Sequence, residues 1–167
     1  FAEIVGLLIG GGVAYVPYML HVKEQTSPPI NDVSTDTADA PVFVALANER
    51  KNFDSPAAYD PANAPKQKAG YPDIATLASA EGPGPLYARA VAEVTRQGWQ
   101  VAAKNPETGI IEATSVSTWF GFKEDIVIRI APAGEGARLD MRSASRGTAS
   151  DLGSNAERVR AFIAAMK

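Results

Sequence analysis

The 167-residue sequence contains no cysteine and a single histidine, His21. The missing thiols exclude disulfide bonds, thiolate zinc sites, iron–sulfur clusters and cysteine nucleophiles. With one histidine, a metal site built from several histidines is excluded and a serine–histidine–aspartate triad is a poor prospect. An excess of positive charge is missing as well, because 16 lysines and arginines stand against 19 carboxylates, for a net charge of -3. We therefore expect no nucleic-acid partner, no metal and no cofactor.

The N-terminal residues differ sharply in composition from the rest of the chain. Residues 4–20 carry no charged side chain, and about 17 to 25 apolar residues suffice for a membrane-spanning helix. Tyr15 and Tyr18 are placed as in an interfacial aromatic belt, just ahead of the polar residues that begin at His21. We expect residues 1–22 to form a transmembrane anchor. The alternatives are the apolar region of a signal peptide and a buried core helix.

Small residues recur every four positions within this segment, at Gly6, Gly10 and Ala14. Such spacing lets two backbones approach closely, so it predicts a packing face toward another membrane helix. Residues 23–40 are rich in proline, serine, threonine and aspartate, and we expect an extended linker there. The exit from the apolar segment shows no excess of positive charge that would assign a side of the membrane.

We expect residues 41–167 to form one α+β domain. Residues 51–85 hold many prolines and predict a long loop. Apolar residues at helical spacing predict helices over residues 41–50 and 86–94 and from residue 154 onward, the last with a Ser154–Glu157 capping box. Strands are predicted over residues 99–103, 110–118, 125–131 and 137–145. Tight turns between these strands predict a four-stranded antiparallel sheet with helices packed on one face, preceded by the N-terminal transmembrane helix.

Two of these strands, residues 125–131 and 137–145, alternate apolar with polar side chains. We expect the polar face to be exposed and to carry Asp125, Arg129, Arg138, Asp140, Arg142 and Arg146. One interpretation is a cross-strand ladder in which Arg129 pairs with Asp140. The other is an anion or partner site, because arginine presents a planar fork to carboxylates and phosphates.

The connection between the second and third predicted strands contains three aromatic residues, Trp119, Phe120 and Phe122. Core burial is the default expectation for aromatic side chains of this kind. The alternatives are a hydrophobic lid, a patch for a partner protein and an interfacial contact with the bilayer.

Residues 143–155 form the densest polar run and lead into the last predicted helix, where free backbone N–H groups favour anions. The candidate binding residues here are Ser145, Arg146, Asp151, Asn155 and Arg158. Asp151 can cap the helix, and Arg158 can fold back on it. Neither P-loop spacing nor a Gly-x-Ser-x-Gly motif is present. We expect no enzyme, since a hydrolase that used Asp125 or Glu112 as base has no assignable partner group.

Several segments together resemble the domain-of-unknown-function family 1499. They include PPINDVSTDTADAPVF at residues 28–43, WFGFKEDIVIRI at residues 119–130 and DMRSASRGTASDLGSNAERVRAF at residues 140–162. The last segment departs from the family pattern by one residue in its glycine region. The resemblance implies a bacterial or plastid protein, often joined to N-terminal membrane helices, and it implies no established reaction.

These observations predict a non-enzymatic, membrane-anchored accessory subunit or interaction domain, associated with a larger membrane protein complex. Its partners would be the bilayer, through residues 1–22, and subunits of that complex. The alternative is a small-ligand or anion-binding domain that uses the arginine-rich sheet face. The resemblance alone favours a periplasmic or lumenal location for the domain.

Overall fold

The computed structural model describes residues 15, 17–19, 21–53, 55–117, 121–147 and 150–167. Within these ranges, no helix is long and apolar enough to cross a membrane. Most of the predicted anchor, including Gly6, Gly10 and Ala14, lies outside the described residues. Residues 21–26 are helical and lead into the domain. Association with a bilayer therefore stays a prediction.

An antiparallel sheet forms the centre of the domain and, in the described part of the chain, has six strands. Their order is β1-β6-β5-β4-β3, and β2 also pairs with β6. The strands are β1 (Asp32–Ser34), β2 (Leu77–Ser79), β3 (Gln100–Asn105), β4 (Ile110–Val116), β5 (Lys123–Ala133) and β6 (Gly136–Ser145). The helices are α1 (Ala47–Lys51), α2 (Asn63–Gly70), α3 (Pro83–Arg96) and α4 (Ser154–Met166).

The predicted fold class, with a four-stranded sheet and helices on one face only, is wrong, and none of the described helices is the transmembrane helix that it placed ahead of the sheet. The two additional strands are three residues long and lie in segments predicted as linker and loop. Val33 of β1 is opposite Ser143 and Ala78 of β2 is opposite Arg138, so both strands pair with β6. Such short strands form because they can pair with a strand that is distant in the sequence. Their own residues show no periodicity that would predict this pairing.

The turn between β3 and β4 follows from its own sequence. The Asn105 side-chain oxygen accepts hydrogen bonds from the backbone N–H groups of Glu107 and Thr108, at 3.0 and 3.1 Å. Gly109 has φ +69°, and a Cβ atom there would lie 2.0 Å from the carbonyl oxygen of Ile130. Gly134, in the turn between β5 and β6, also has positive φ, but a Cβ atom there meets nothing within 4 Å. Position 109 therefore requires glycine because of its positive φ and because a Cβ atom would clash, whereas position 134 favours glycine because of its positive φ alone.

Helices α3 and α4 cover the first face of the sheet, as their apolar spacing predicts. The buried residues of α3 include Leu86, Ala90 and Val94. Trp99 stacks on Phe162 of α4, with ring centroids 5.7 Å apart. The sheet contributes buried apolar side chains from alternate positions of its central strands, among them Ile111, Ala113, Ile126, Ile128, Ile130, Leu139 and Met141.

The second face of the sheet is covered as well, by the segment that contains α1. Phe43 and Leu46 pack against Val127 and Ala144 in a second, smaller buried cluster. The Glu112 carboxylate of β4 accepts the backbone N–H groups of residues 44, 45 and 46, at 2.9 to 3.0 Å. It therefore caps the turn ahead of α1 and fixes this segment to the sheet.

Candidate functional site

The polar sheet face that the sequence predicts to be exposed is largely buried. Asp125, Asp140 and Arg142 are each 0% exposed, and Arg146 is buried too. The prediction of an exposed arginine-rich face is therefore wrong. Its alternation is correct, but the segment around α1 lies over this face and takes up its charges.

Asp125 is the centre of one buried cluster of charges. It accepts a hydrogen bond from Arg50 Nη1 at 2.8 Å and a bidentate pair from Arg146 Nε and Nη2 at 2.8 and 2.7 Å. Thr114 donates its hydroxyl to the same carboxylate at 2.9 Å. Burial lowers the pKa of the Arg50 guanidinium, whereas the hydrogen bond to Asp125 raises the pKa of Arg146. One carboxylate thus holds two arginines from distant parts of the chain.

Arg142 forms a second buried contact of the same kind. Its Nε and Nη2 atoms donate to the Asp32 carboxylate at 2.9 and 2.7 Å, and Nη1 donates to the carbonyl oxygens of Pro41 and Ala57. The Phe43 ring lies 4.7 Å from this guanidinium and 4.6 Å from that of Arg50. These arginines therefore join the covering segment to the sheet, and their charges are balanced by carboxylates of the same chain.

Arg129 and Asp140 lie opposite each other on β5 and β6, as predicted. Arg129 Nη2 donates to Asp140 Oδ2 at 3.0 Å, so this ladder pair is confirmed. Arg129 also contacts the Asp39 carboxylate at 3.0 Å. Thr76 donates its hydroxyl to Asp140 at 2.5 Å. This end of the face is thus occupied by internal pairs as well.

The polar run that precedes α4 forms one wall of a cleft of about 130 Å³. The cleft lies where β5 begins and β6 ends, next to the start of α4. We call it the end cleft, and it is lined by Phe122, Lys123, Glu124, Ser145, Arg146, Ser150, Asp151, Leu152 and Ser154. Four of the predicted binding residues line it, namely Phe122, Ser145, Arg146 and Asp151.

Glu124 of the end cleft belongs to a connected polar network. Arg158 Nη2 donates to its carboxylate at 3.1 Å, and Arg158 Nη1 donates to Ser143 Oγ and Asn155 Oδ1 at 3.1 and 2.8 Å. Asn155 Nδ2 in turn donates to Ser145 Oγ at 2.9 Å. Burial raises the pKa of Glu124 and lowers the pKa of Arg158, because both charged forms lose water.

Asp151 caps the start of α4. Its carboxylate accepts the backbone N–H groups of Gly153 at 2.9 Å and Asn155 at 2.7 Å. The predicted capping box is therefore replaced, since Asp151 and not Ser154 supplies the capping oxygens. The chain's own carboxylate occupies the position that the sequence suggested for an anion. Leu152, on the wall of the cleft, has φ +53°, a conformation that a leucine rarely adopts.

A family model described as a protein of unknown function (DUF1499) matches residues 32–166. The chain belongs to this family. The resemblance seen in the sequence is thereby confirmed, and the match runs from the first strand of the DUF1499 domain to the last turn of α4. No curated protein matches the sequence.

The DUF1499 domain brings some of the predicted site residues together and separates others. Phe122, Ser145, Arg146 and Asp151 line the end cleft, and Asn155 and Arg158 contact its polar network. The remaining charged candidates, namely Asp125, Arg129, Asp140 and Arg142, lie in the buried face. Trp119 and Phe120 lie outside the described residues.

Sequence reasoning missed several residues that hold these sites. Glu124 has a recognisable signal, because it shares the alternation of Ile126 and Ile128 and so faces α4. Arg50 and Asp32 have none, since their partners lie 75 and 110 residues further along the chain. In the described part of the DUF1499 domain, no cluster of histidine, aspartate and glutamate side chains is arranged to hold a metal ion.

Proposed function

We propose that this protein is a non-enzymatic interaction domain that binds a partner protein at the free edge of β3. The observation that carries the proposal is the pairing of this strand. Within the described ranges β3 pairs with β4 alone, whereas the opposite side of the sheet ends on β1 and β2, two three-residue strands that pair with β6. An unpaired strand edge presents a row of backbone donors and acceptors that a second chain can extend.

The side chains of β3 suit a strand-addition site. Five of its six residues are exposed, and Val101 is 41% exposed. Lys104 is the one charged residue in this strand, which contains no proline. The register shifts between Val101 and Ala103, so a bulge interrupts the ladder to β4. A lysine and a bulge on an edge strand disfavour pairing with arbitrary strands, so the edge would accept only a partner strand that fits both features.

The buried charges support an interaction role over an anion-binding one. Arg50, Arg142 and Arg146 donate to carboxylates of their own chain, and their contacts secure the covering segment. An anion would have to compete with those internal carboxylates, which are already desolvated. A strand that adds to the edge of β3 would displace none of these internal ion pairs.

The partner that we propose is a subunit of a larger membrane protein complex, with this protein as its accessory subunit. The uncharged sequence of residues 4–20 supports a place at a membrane. The periplasmic or lumenal location remains a prediction from the family resemblance.

Site-specific crosslinking tests the proposal. A photo-reactive amino acid at Val101 should form a discrete crosslink to a partner protein in native membranes. The same residue at Val44, which is 76% exposed on a different segment, should not. Val101→Lys should abolish the copurification of that partner, whereas Val44→Lys should leave it unchanged. Equal crosslinks at both positions, or copurification that survives Val101→Lys, would refute the β3 edge as the binding site.

A further inference from the structure

The end of the sheet that holds the end cleft also carries two exposed aromatic side chains. Phe53 is 46% exposed and Phe122 is 55% exposed. The Phe53 ring lies 5.9 Å from the guanidinium of Arg146, and Arg146 and Phe122 both line the end cleft. Val116, which is 41% exposed, is opposite Lys123, the residue that follows Phe122. We call Phe53, Val116 and Phe122 the apolar end.

The N-terminal segment joins the domain at this same end. The Asp151 N–H donates to the carbonyl oxygen of Ile30 at 3.3 Å, and Asp151 lines the end cleft. Seven residues before Ile30, Lys23 forms an ion pair of 2.9 Å with Glu157 in the first turn of α4. Lys23 and Ile30, which follow the uncharged residues 4–20 in the chain, therefore contact the domain beside the apolar end.

Two exposed lysines lie at this end, and its carboxylates Glu124 and Asp151 are engaged by Arg158 and by the start of α4. Lys123 lines the end cleft, and Lys51 precedes Phe53 by two residues at the end of α1. The Glu49 carboxylate nearby is paired with Arg146 at 2.8 Å, which reduces its effect on the lysines. Phenylalanines flanked by lysines are typical of surfaces that lie in the interface of a bilayer, where the rings enter the acyl boundary and the lysines meet the headgroups.

We infer that the apolar end lies against a lipid bilayer, so that the domain rests on the membrane surface with the β3 edge free for its partner. Three observations support the bilayer as the occupant: the exposed phenylalanines, the flanking lysines and the contacts that Lys23 and Ile30, which follow an uncharged sequence, make at this end. The inference uses a different surface from the proposed function, and either can fail without the other.

The absence of cysteine from the sequence makes a direct test practical, because one introduced cysteine labels one position. A nitroxide is attached to the full-length chain at Phe53→Cys, Phe122→Cys or Lys123→Cys. The control is Glu135→Cys in the turn between β5 and β6. This turn lies at the far end of β5, about 30 Å from Lys123, because a strand rises about 3.3 Å per residue. The labelled proteins are reconstituted in vesicles of phosphatidylcholine and phosphatidylglycerol without any other protein. Collision rates with oxygen and with a water-soluble nickel chelate are then measured.

Contact with lipid predicts a several-fold rise in the ratio of oxygen to nickel collisions at positions 53 and 122, relative to position 135. A ratio that stays equal at all positions would overturn the inference. A fall in both collision rates at positions 53 and 122 would overturn it as well, because that result indicates contact with a protein surface such as a second copy. Lys123→Cys keeps both phenylalanines, so its label reports on this end even if a phenylalanine variant unfolds.

Discussion

Replacement of Asp125 tests how the second face of the sheet is held. Asp125→Asn keeps the shape of the side chain but removes the charge that two buried arginines share. Loss of one partner from a buried ion pair costs about 3–5 kcal/mol, because the remaining charge stays desolvated. The free energy of unfolding of a domain is about 5–15 kcal/mol, so the variant should lose a large part of it.

Asp73→Asn is the matched control. Asp73 also receives a bidentate arginine, from Arg160 at 2.5 and 2.7 Å, but this pair is exposed on the surface. Exposed ion pairs contribute about 0.2–1 kcal/mol, so the same substitution should have a small effect there. Both carboxylates receive a bidentate arginine, but Asp125 is buried and also accepts from Arg50 and Thr114, so the comparison sets a buried cluster against an exposed pair.

Urea denaturation followed by circular dichroism measures both variants. We expect the midpoint of Asp125→Asn to fall far below that of the wild-type protein and the midpoint of Asp73→Asn to change little. In a thermal experiment the buried variant should melt about 10–20 °C lower. If both variants lose the same free energy, the Asp125 cluster does not hold the covering segment, and our account of the buried face fails.

Three further predictions concern capping, backbone conformation and pH. Glu112→Gln should cost about 1–3 kcal/mol and speed hydrogen exchange at residues 44–46, since it weakens the three hydrogen bonds to that turn; unchanged exchange would contradict this. Gly109→Ala should destabilise by about 2–3 kcal/mol and Gly134→Ala by about 1 kcal/mol, because both strain the backbone but the first also clashes; equal losses in urea denaturation would count against it. Burial raises the folded-state pKa of Glu124 above the unfolded value of about 4.3, so the folded protein binds this proton more tightly than the unfolded chain. The stability that comes from the protonated carboxyl is therefore present at low pH and is lost as pH rises through the folded pKa. The difference in free energy of unfolding between wild type and Glu124→Gln should therefore change across mildly acidic pH, and parallel curves would refute the assignment.

Local pattern predicted the elements that depend on local contacts. The turn at residues 105–109 forms because Asn105 binds the next N–H groups and Gly109 adopts positive φ. Leu86, Ala90 and Val94 recur at helical spacing and are buried in α3. These features depend on neighbours within a few residues, so a sequence window contains their cause.

The same method misjudged the strands and the polar face. Alternation in β5 shows that Asp125 and Val127 share a face, but it does not show whether that face meets water. The answer depends on Phe43, Leu46 and Arg50, which lie about 80 residues earlier and form no regular pattern with the strand. β1 and β2 were missed for another reason, because strands of three residues are too short to show an alternation.

The sequence by itself determined the family, the hairpin of β3 and β4, the long helices and the exclusion of thiol chemistry, because each follows from composition or from short-range spacing. The tertiary structure decided that the arginines are internal, that Glu124 faces α4 at the end cleft and that, among the described strands, β3 pairs with β4 alone. Those properties are set by which distant segments cover which faces. Ion pairs such as Arg142–Asp32 form only after the chain has brought their two halves together.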